Sequence, residues 1–244
     1  VEGPHLCAPS PQRTPLLFQA GSSSTGAAFA ATHAEAVFLV APSPSVAETS
    51  ISQIVAHLQK IGRSRDDVRF VQGLSFVIGS TDAEVARLDR ELDEAIDPEM
   101  MVRHLGGVMG VELDDVSLDT PITDLRTEGS QSLLDWVRQA VVEREPRVRD
   151  IGMLLARSSR ISGTPDRIVD QIATWQAAGI DGVNVINAVI PGSYTDFIEH
   201  VMPVLRARGM ARKSYEPGTL RQKLFGRDRL PDSHPAAAYR GAFA

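Results

Sequence analysis

The segment Pro15-Leu16-Leu17-Phe18-Gln19-Ala20-Gly21-Ser22-Ser23-Ser24-Thr25-Gly26 constrains the fold more than any other part of the sequence. It reads as a short buried strand, a turn of small residues and the first turn of a helix. A chain that leaves a strand through Gly and Ser into a helix turns several backbone N–H groups the same way, with the helix dipole behind them, and such a turn suits a phosphate. The same residues also serve as ordinary helix caps, because Ser and Thr hydroxyls accept from the orphan N–H groups of a first turn.

The rest of the chain repeats this strand-then-helix order. Gly26 to His33 reads as a short helix and Ala36 to Val40 as a second strand. Ser43 with Pro44 opens a helix whose apolar stripe is Ile51, Ile54, Val55 and Leu58, stopped by Gly62. Val68 to Ile78 gives a third strand, running on into a loop at Gly73 or Leu74. Thr81 and Glu84 have the spacing of a capping box for a helix with Val85, Leu88, Leu92 and Ile96 on its buried side. Thr164-Pro165 starts another helix, with Ile168, Ile172 and Trp175 inside and Gly179 as its stop, followed by a fourth strand over Gly182 to Asn187. A last helix places Phe197, Val201 and Leu205 on one side. Strands alternating with helices at this spacing imply right-handed crossovers and a parallel sheet, so the class is α/β.

Two stretches depart from the rhythm. Residues 98–150 carry glycines, an acidic run and a helix around Gln131 to Val142, packed through Leu133, Leu134, Trp136 and Val137, and read as an insertion. A stretch of that size builds a lid or substrate wall, or is a surface excursion. From Arg206 the sequence is basic and irregular, and residues 226–244 form a tail that either wraps the surface or stays mobile. The chain opens at Val1, without Met, in a Pro-rich segment that resembles a connection, so an incomplete chain is expected.

Composition excludes several classes. A net charge of −6 with 25 Lys and Arg spread thinly argues against nucleic acid as a partner. One cysteine, Cys7, excludes an internal disulfide framework and fits a reducing cytoplasm, and the six histidines show no zinc spacing, so no metal site is expected. The most apolar run, Ala27 to Ala41, is broken by Thr32, His33 and Glu35, so it does not span a membrane. A small molecule is the expected partner.

Four segments carry a resemblance: Pro15 to Phe38, Gly62 to Glu84, Ser162 to Asn187, and Asp196 to Leu224. In order and spacing they resemble the bacterial luciferase-like flavin monooxygenases, in the branch of the nitrilotriacetate monooxygenase large component. The resemblance implies a (β/α)8 TIM barrel. In that family the segment like Gln19 to Gly26 lies about midway, so residues 1–225 are expected to be the C-terminal part of one barrel domain, its last four β/α units plus the 98–150 insertion.

The resemblance further implies a monooxygenase that takes reduced FMN from a separate flavin reductase and oxidises a small organic substrate with O2. Members cradle the FMN phosphate with the turn that matches Gly21, Ser22 and Ser23, and Ser24 is a weaker member of that set. The family often has Arg where this chain has Ala27. Self-association is implied too, and apolar sheet edges favour it. No residue is expected to be catalytic in its own right, since the flavin carries the difficult step. Two other readings are a deazaflavin- or flavin-dependent oxidoreductase of the same superfamily, and a shortened, non-catalytic subunit. His33 and Glu35 resemble an acid–base pair but sit at the end away from the phosphate turn, so a structural role is expected. Asn184 to Asn187 and Tyr194 are expected near the cofactor mouth, where an Asn either touches ligand or, more commonly, satisfies backbone groups.

Overall fold

A computed structural model describes residues 7–8, 10–20, 24–109, 116–125 and 131–240. The element order is β1 (Phe18–Ala20), α1 (Ser24–His33), β2 (Ala36–Leu39), α2 (Pro44–Lys60), β3 (Arg69–Ile78), α3 (Asp82–Glu94), α4 (Pro98–Met109), α5 (Gln131–Ala140), α6 (Val148–Ser158), β4 (Arg160–Gly163), α7 (Pro165–Ala177), β5 (Gly182–Ile186), α8 (Gly192–Asp196), a π-helical turn (Phe197–Val201), α9 (Met202–Ala207) and α10 (Leu220–Phe225). The chain divides into two compact units, one of residues 1–73, 172–184 and 205–244, the other of residues 74–171 and 185–204.

In the first unit β1, β2 and the start of β3 pair in parallel, Phe18 opposite Ala36 and Ala36 opposite Arg69. One sheet face is closed: Val37, Phe70 and Gln72 are fully buried. The other carries Phe18 and Phe38, stacked 5.0 Å apart and 44% and 36% exposed, so β1 is not the buried strand its sequence suggests. Apolar side chains stand on both faces, but the face of Val37, Leu39 and Phe70 is the one that is closed. Gln72 ties the end of β2 to β3, its Oε1 accepting from Ala41 N–H and its Nε2 donating to Ala41 O, both at 3.1 Å. β5 also pairs with β3. Asp181 splices its start there: Oδ2 accepts from Phe70 N–H at 2.7 Å and from Arg65 Nη2 at 2.8 Å, and Asp181 N–H donates to Phe70 O at 2.8 Å.

In the second unit β3 continues without a loop at Gly73 or Leu74. Its residues Ser75–Ile78 pair in parallel with β4, a strand absent from the sequence reading. β4 is four residues long and contains Arg and Gly, too short and too polar to stand out by pattern. Residues 98–150 hold α4, α5 and the start of α6, of which only α5 was expected. Ile122, Leu134, Val137 and Ile151 form its core, with Trp136 packed against them. The side chain of Leu133 lies outside the described residues.

Thr81 caps α3 as its spacing predicts, accepting from Glu84 N–H at 3.2 Å. The reciprocal bond is displaced by one residue, since Glu84 Oε2 accepts from Ser80 N–H at 2.9 Å and from Ser80 Oγ at 2.6 Å. No residue of α3 is fully buried, contrary to the expected stripe. Leu88 and Leu92 line a cleft instead.

Candidate cofactor site

β1 ends at Ala20 and α1 begins at Ser24. Of the expected phosphate ligands, Gly21, Ser22 and Ser23 lie outside the described residues, and Ser24 is the first residue of α1. α1 is ten residues long and has no acidic side chain in its first turn, so nothing there opposes an anion at its positive end. Its body is small: Ala27, Ala30 and Ala31 are no more than 3% exposed, which lets the helix pack close against α2. Ala27, the family's Arg position, is therefore inside the packing.

The other end of α1 is held by donors. Arg63, itself buried, donates to the end of α1 and the residue just after it, Nη1 to Ala31 O and Nη2 to Ala34 O, the latter at 2.9 Å, and Nη2 also donates to Asp67 O at 3.3 Å. A cation over the last carbonyls satisfies orphan acceptors and complements the helix dipole. His234 adds a third donor. Its Nδ1 accepts from Ala236 N–H at 3.1 Å, which assigns the ring proton to Nε2, 3.0 Å from His33 O. Burial pushes the His234 pKa below its ordinary value, outweighing the bond to the His33 carbonyl.

His33 and Glu35 have the structural role expected of them. His33 contributes its carbonyl, and its ring lies 4.8 Å from Phe29. Glu35 is fully buried against Arg221 of α10, with Oε1 accepting from Arg221 Nε at 2.7 Å. Neither Arg63, Arg221 nor His234 was visible as functional or structural in the sequence. The available signal was negative only: the C-terminal stretch is too rich in Arg to look like core. In the structure it docks, through Leu230 and His234, 7% and 2% exposed, and a 3-10 turn at Pro235–Tyr239.

In the second unit, Asn187 and Tyr194 are brought together, with the Tyr194 hydroxyl donating to Asn187 Oδ1 at 3.0 Å. Ser193, which the sequence gave no reason to choose, accepts at Oγ from Ala188 N–H at 3.1 Å and Val189 N–H at 3.0 Å, and so shapes the loop. Nearby is a cleft of about 350 Å³ lined by Val77, Ile78, Leu88, Leu92 and Val189, with Asp196 at its border. It opens at the C-terminal end of β3, the end at which barrels of this class carry their sites. Among the described residues no group of His, Cys, Asp and Glu could hold a metal ion, and no helix is long and apolar enough to cross a membrane.

Known proteins resemble this chain in sequence and fold. Residues 2–182 match the family model described as luciferase-like monooxygenase, and the chain belongs to that family. It is 35% identical to the dimethyl-sulfide monooxygenase of Hyphomicrobium sulfonivorans over all of this chain and 52% of that protein. It is 36% identical to the long-chain alkane monooxygenase of Geobacillus thermodenitrificans, over 98% of this chain and 52% of that protein. The crystal structure of DmoA from Hyphomicrobium sulfonivorans superposes with a TM-score of 0.83, again over 98% of this chain and 52% of the other. A riboflavin lyase crystallised with modified FMN and riboflavin gives a TM-score of 0.79 at 34% identity, over 94% of this chain and 52% of the other. The fold is thus that of part of a luciferase-like TIM barrel, and the chain spans about half the length of the curated relatives it matches.

Proposed function

We propose that this chain is part of a reduced-FMN-dependent monooxygenase that oxidises a small organic substrate with O2, its flavin delivered by a separate reductase. The observation that carries the reading is the β1-to-α1 connection within a chain of the luciferase-like monooxygenase family. Reduced flavin, when bound, supplies the reaction with oxygen. The chain's residues supply binding and orientation. By residue type, the turn of Gly21, Ser22, Ser23 and Ser24 leading into α1 supplies what a phosphate dianion takes: hydroxyls, backbone N–H groups and a glycine without a side chain. The clamp of Arg63 and His234 on the far end holds α1 in place. The cleft beside Val77 and Leu88, lined mostly by apolar side chains with Glu91, Ser193 and Asp196 among them, is suited to the apolar part of an organic substrate. Relatives named for dimethyl sulfide and long-chain alkanes agree with a substrate of that kind.

The test is a titration of FMN into the 244-residue chain, followed by flavin fluorescence, beside the variant Ser22→Glu with Ser23→Glu. Two carboxylates at the phosphate position should weaken FMN by about tenfold or more through like-charge repulsion. Equal affinity in both proteins removes the site assignment.

A further inference from the structure

Residues 231–240 pack on α1, and the bonds within the segment are local. His234 N–H donates to Pro231 O at 3.0 Å, Ala237 N–H to His234 O at 2.8 Å and Arg240 N–H to Ala237 O at 3.1 Å, while Arg240 Nη1 donates to Asp232 Oδ1 at 2.5 Å. Among the described residues one hydrogen bond joins the segment to the rest of the chain, from His234 Nε2–H to His33 O at 3.0 Å. His234 is also the only buried residue of the segment, 2% exposed.

The same ring caps the 3-10 turn at Pro235–Tyr239, since its Nδ1 accepts from Ala236 N–H at 3.1 Å. The fold of the segment and its attachment thus share one imidazole, and both require the neutral form with its proton on Nε2. A second proton goes to Nδ1, where it meets a donor instead of an acceptor and breaks the cap. No carboxylate is free to take the charge so formed. Glu35 is committed to Arg221 at 2.7 and 2.9 Å, Asp67 accepts from Arg227 at 3.2 Å, and Asp232 of the segment itself is exposed and bonded to Arg240. On the cationic side stand Arg63, held over Ala31 O and Ala34 O, and the titratable ring of His33. Burial and the Arg63 charge outweigh the His33 carbonyl and Glu35, which favour the protonated ring.

We infer that residues 231–240 are a pH-gated strap on the end of α1, docked while the His234 ring is neutral and released once both its nitrogens carry protons. Linkage sets the direction. The released strap gives its imidazole to water and takes a proton near the ordinary histidine value of about pH 6.5, whereas the docked ring takes one only below it. Docking is therefore full above about pH 6.5 and weakens by up to about tenfold for each pH unit below, until the docked ring titrates as well. Release withdraws one donor from the carbonyls at the end of α1 and leaves those of Arg63 in place, so the helix stays when the strap goes. The switch needs no ligand and no second chain.

Hydrogen exchange of the 244-residue chain at pH 7.5 and pH 5.0, each corrected for the intrinsic rate at that pH, tests the strap. The amides of Ala236, Ala237 and Arg240 report on it, and those of Phe70 to Gln72 in β3 serve as the reference. Between the two pH values we expect protection of the three strap amides to fall by about tenfold while β3 keeps its own, with a midpoint that coincides with the titration of the His234 ring followed by NMR. His234→Gln, which keeps a donor for the His33 carbonyl and does not titrate, should lose the pH dependence. Strap protection that is unchanged at pH 5.0, that falls equally in His234→Gln, or that falls together with β3 overturns the proposal, and so does a midpoint apart from the His234 titration. Strap amides without protection at pH 7.5 overturn it too, since nothing is then docked.

Discussion

Arginines pair with carboxylates in both units, yet the pairs do different things. In the first unit Arg221 and Glu35 are both fully enclosed, and nearly every donor and acceptor they own is matched. In the second unit Asp93 accepts from Arg157 Nη2 at 2.7 Å and from Arg160 Nη1 at 2.8 Å, and Arg160 also reaches Asp89 at 3.1 Å. Arg157 is about half exposed and Asp93 partly so, so water competes for the bond between them, while Arg160 is largely buried and is shared between Asp89 and Asp93. Identical chemistry is therefore strongly position-dependent: where water is excluded, a lost partner strands a charge, and where it is present, water replaces the partner.

The largest effect expected from this contrast is in Glu35→Ala. An unpaired buried guanidinium should cost about 3–5 kcal/mol in chemical denaturation. A loss below about 1 kcal/mol would erase the distinction between the two units. Asp93→Asn should cost about 1 kcal/mol or less by the same measurement, since the arginines left behind are hydrated or keep Asp89.

Next in size are the pH effects, which sharpen the comparison because they have separate windows. The His234 pKa is lowered in the folded state, so the unfolded chain takes up a proton more readily, and stability is full above about pH 6.5 and falls as the pH drops below it. Melting temperatures measured from pH 8 to pH 5 should show this slope, and His234→Asn should flatten it. Asp93 and Asp150 act in a lower window. Burial pushes both carboxyls up, but bonds from Arg157 and Arg160 to Asp93, and from Arg144 and the Arg147 backbone to Asp150, outweigh it and hold them below the usual carboxylate range. Their stabilisation is present above about pH 4 and is lost as the pH falls through the lowered values. Asp150→Asn should remove part of that acid-side slope. Smallest is the exposed Arg87–Glu91 pair on α3, four residues apart and 2.7 Å between charged atoms. Arg87→Ala should change stability by a few tenths of a kcal/mol at low salt and by nothing measurable in 1 M salt.

Much of the fold was readable because the relevant signals are local. Ser43 with Pro44 and Thr81 with Glu84 mark helix starts by chemistry that acts within one turn, and the structure places those helices where the spacing does. Ile168, Ile172 and Trp175, and later Phe197, Val201 and Leu205, are buried as their period implies. β4, α4 and α6 escaped notice for the opposite reason. The strand is four residues long and takes its order from Ser75–Ile78, more than eighty residues earlier, and α6 opens at Arg147, a residue type that does not mark a helix start. Leu88 and Leu92 follow a helical stripe correctly, yet line a cleft rather than a core, because periodicity gives a side of a helix and not what covers it.

By itself the sequence determined the α/β class, the parallel order of strands, the family and the Gly-Ser turn proposed for a phosphate, all of which follow from short-range patterns or from similarity along the chain. Only the tertiary structure decided which apolar faces are closed, that Asp181 splices β5 to β3, and that Arg63, Arg221 and His234 come back to grip α1 and the base of β1. Those contacts join residues from 29 to 209 positions apart. The free energy of a buried charge depends on which groups surround it in space, and no stretch of sequence around an arginine carries that information.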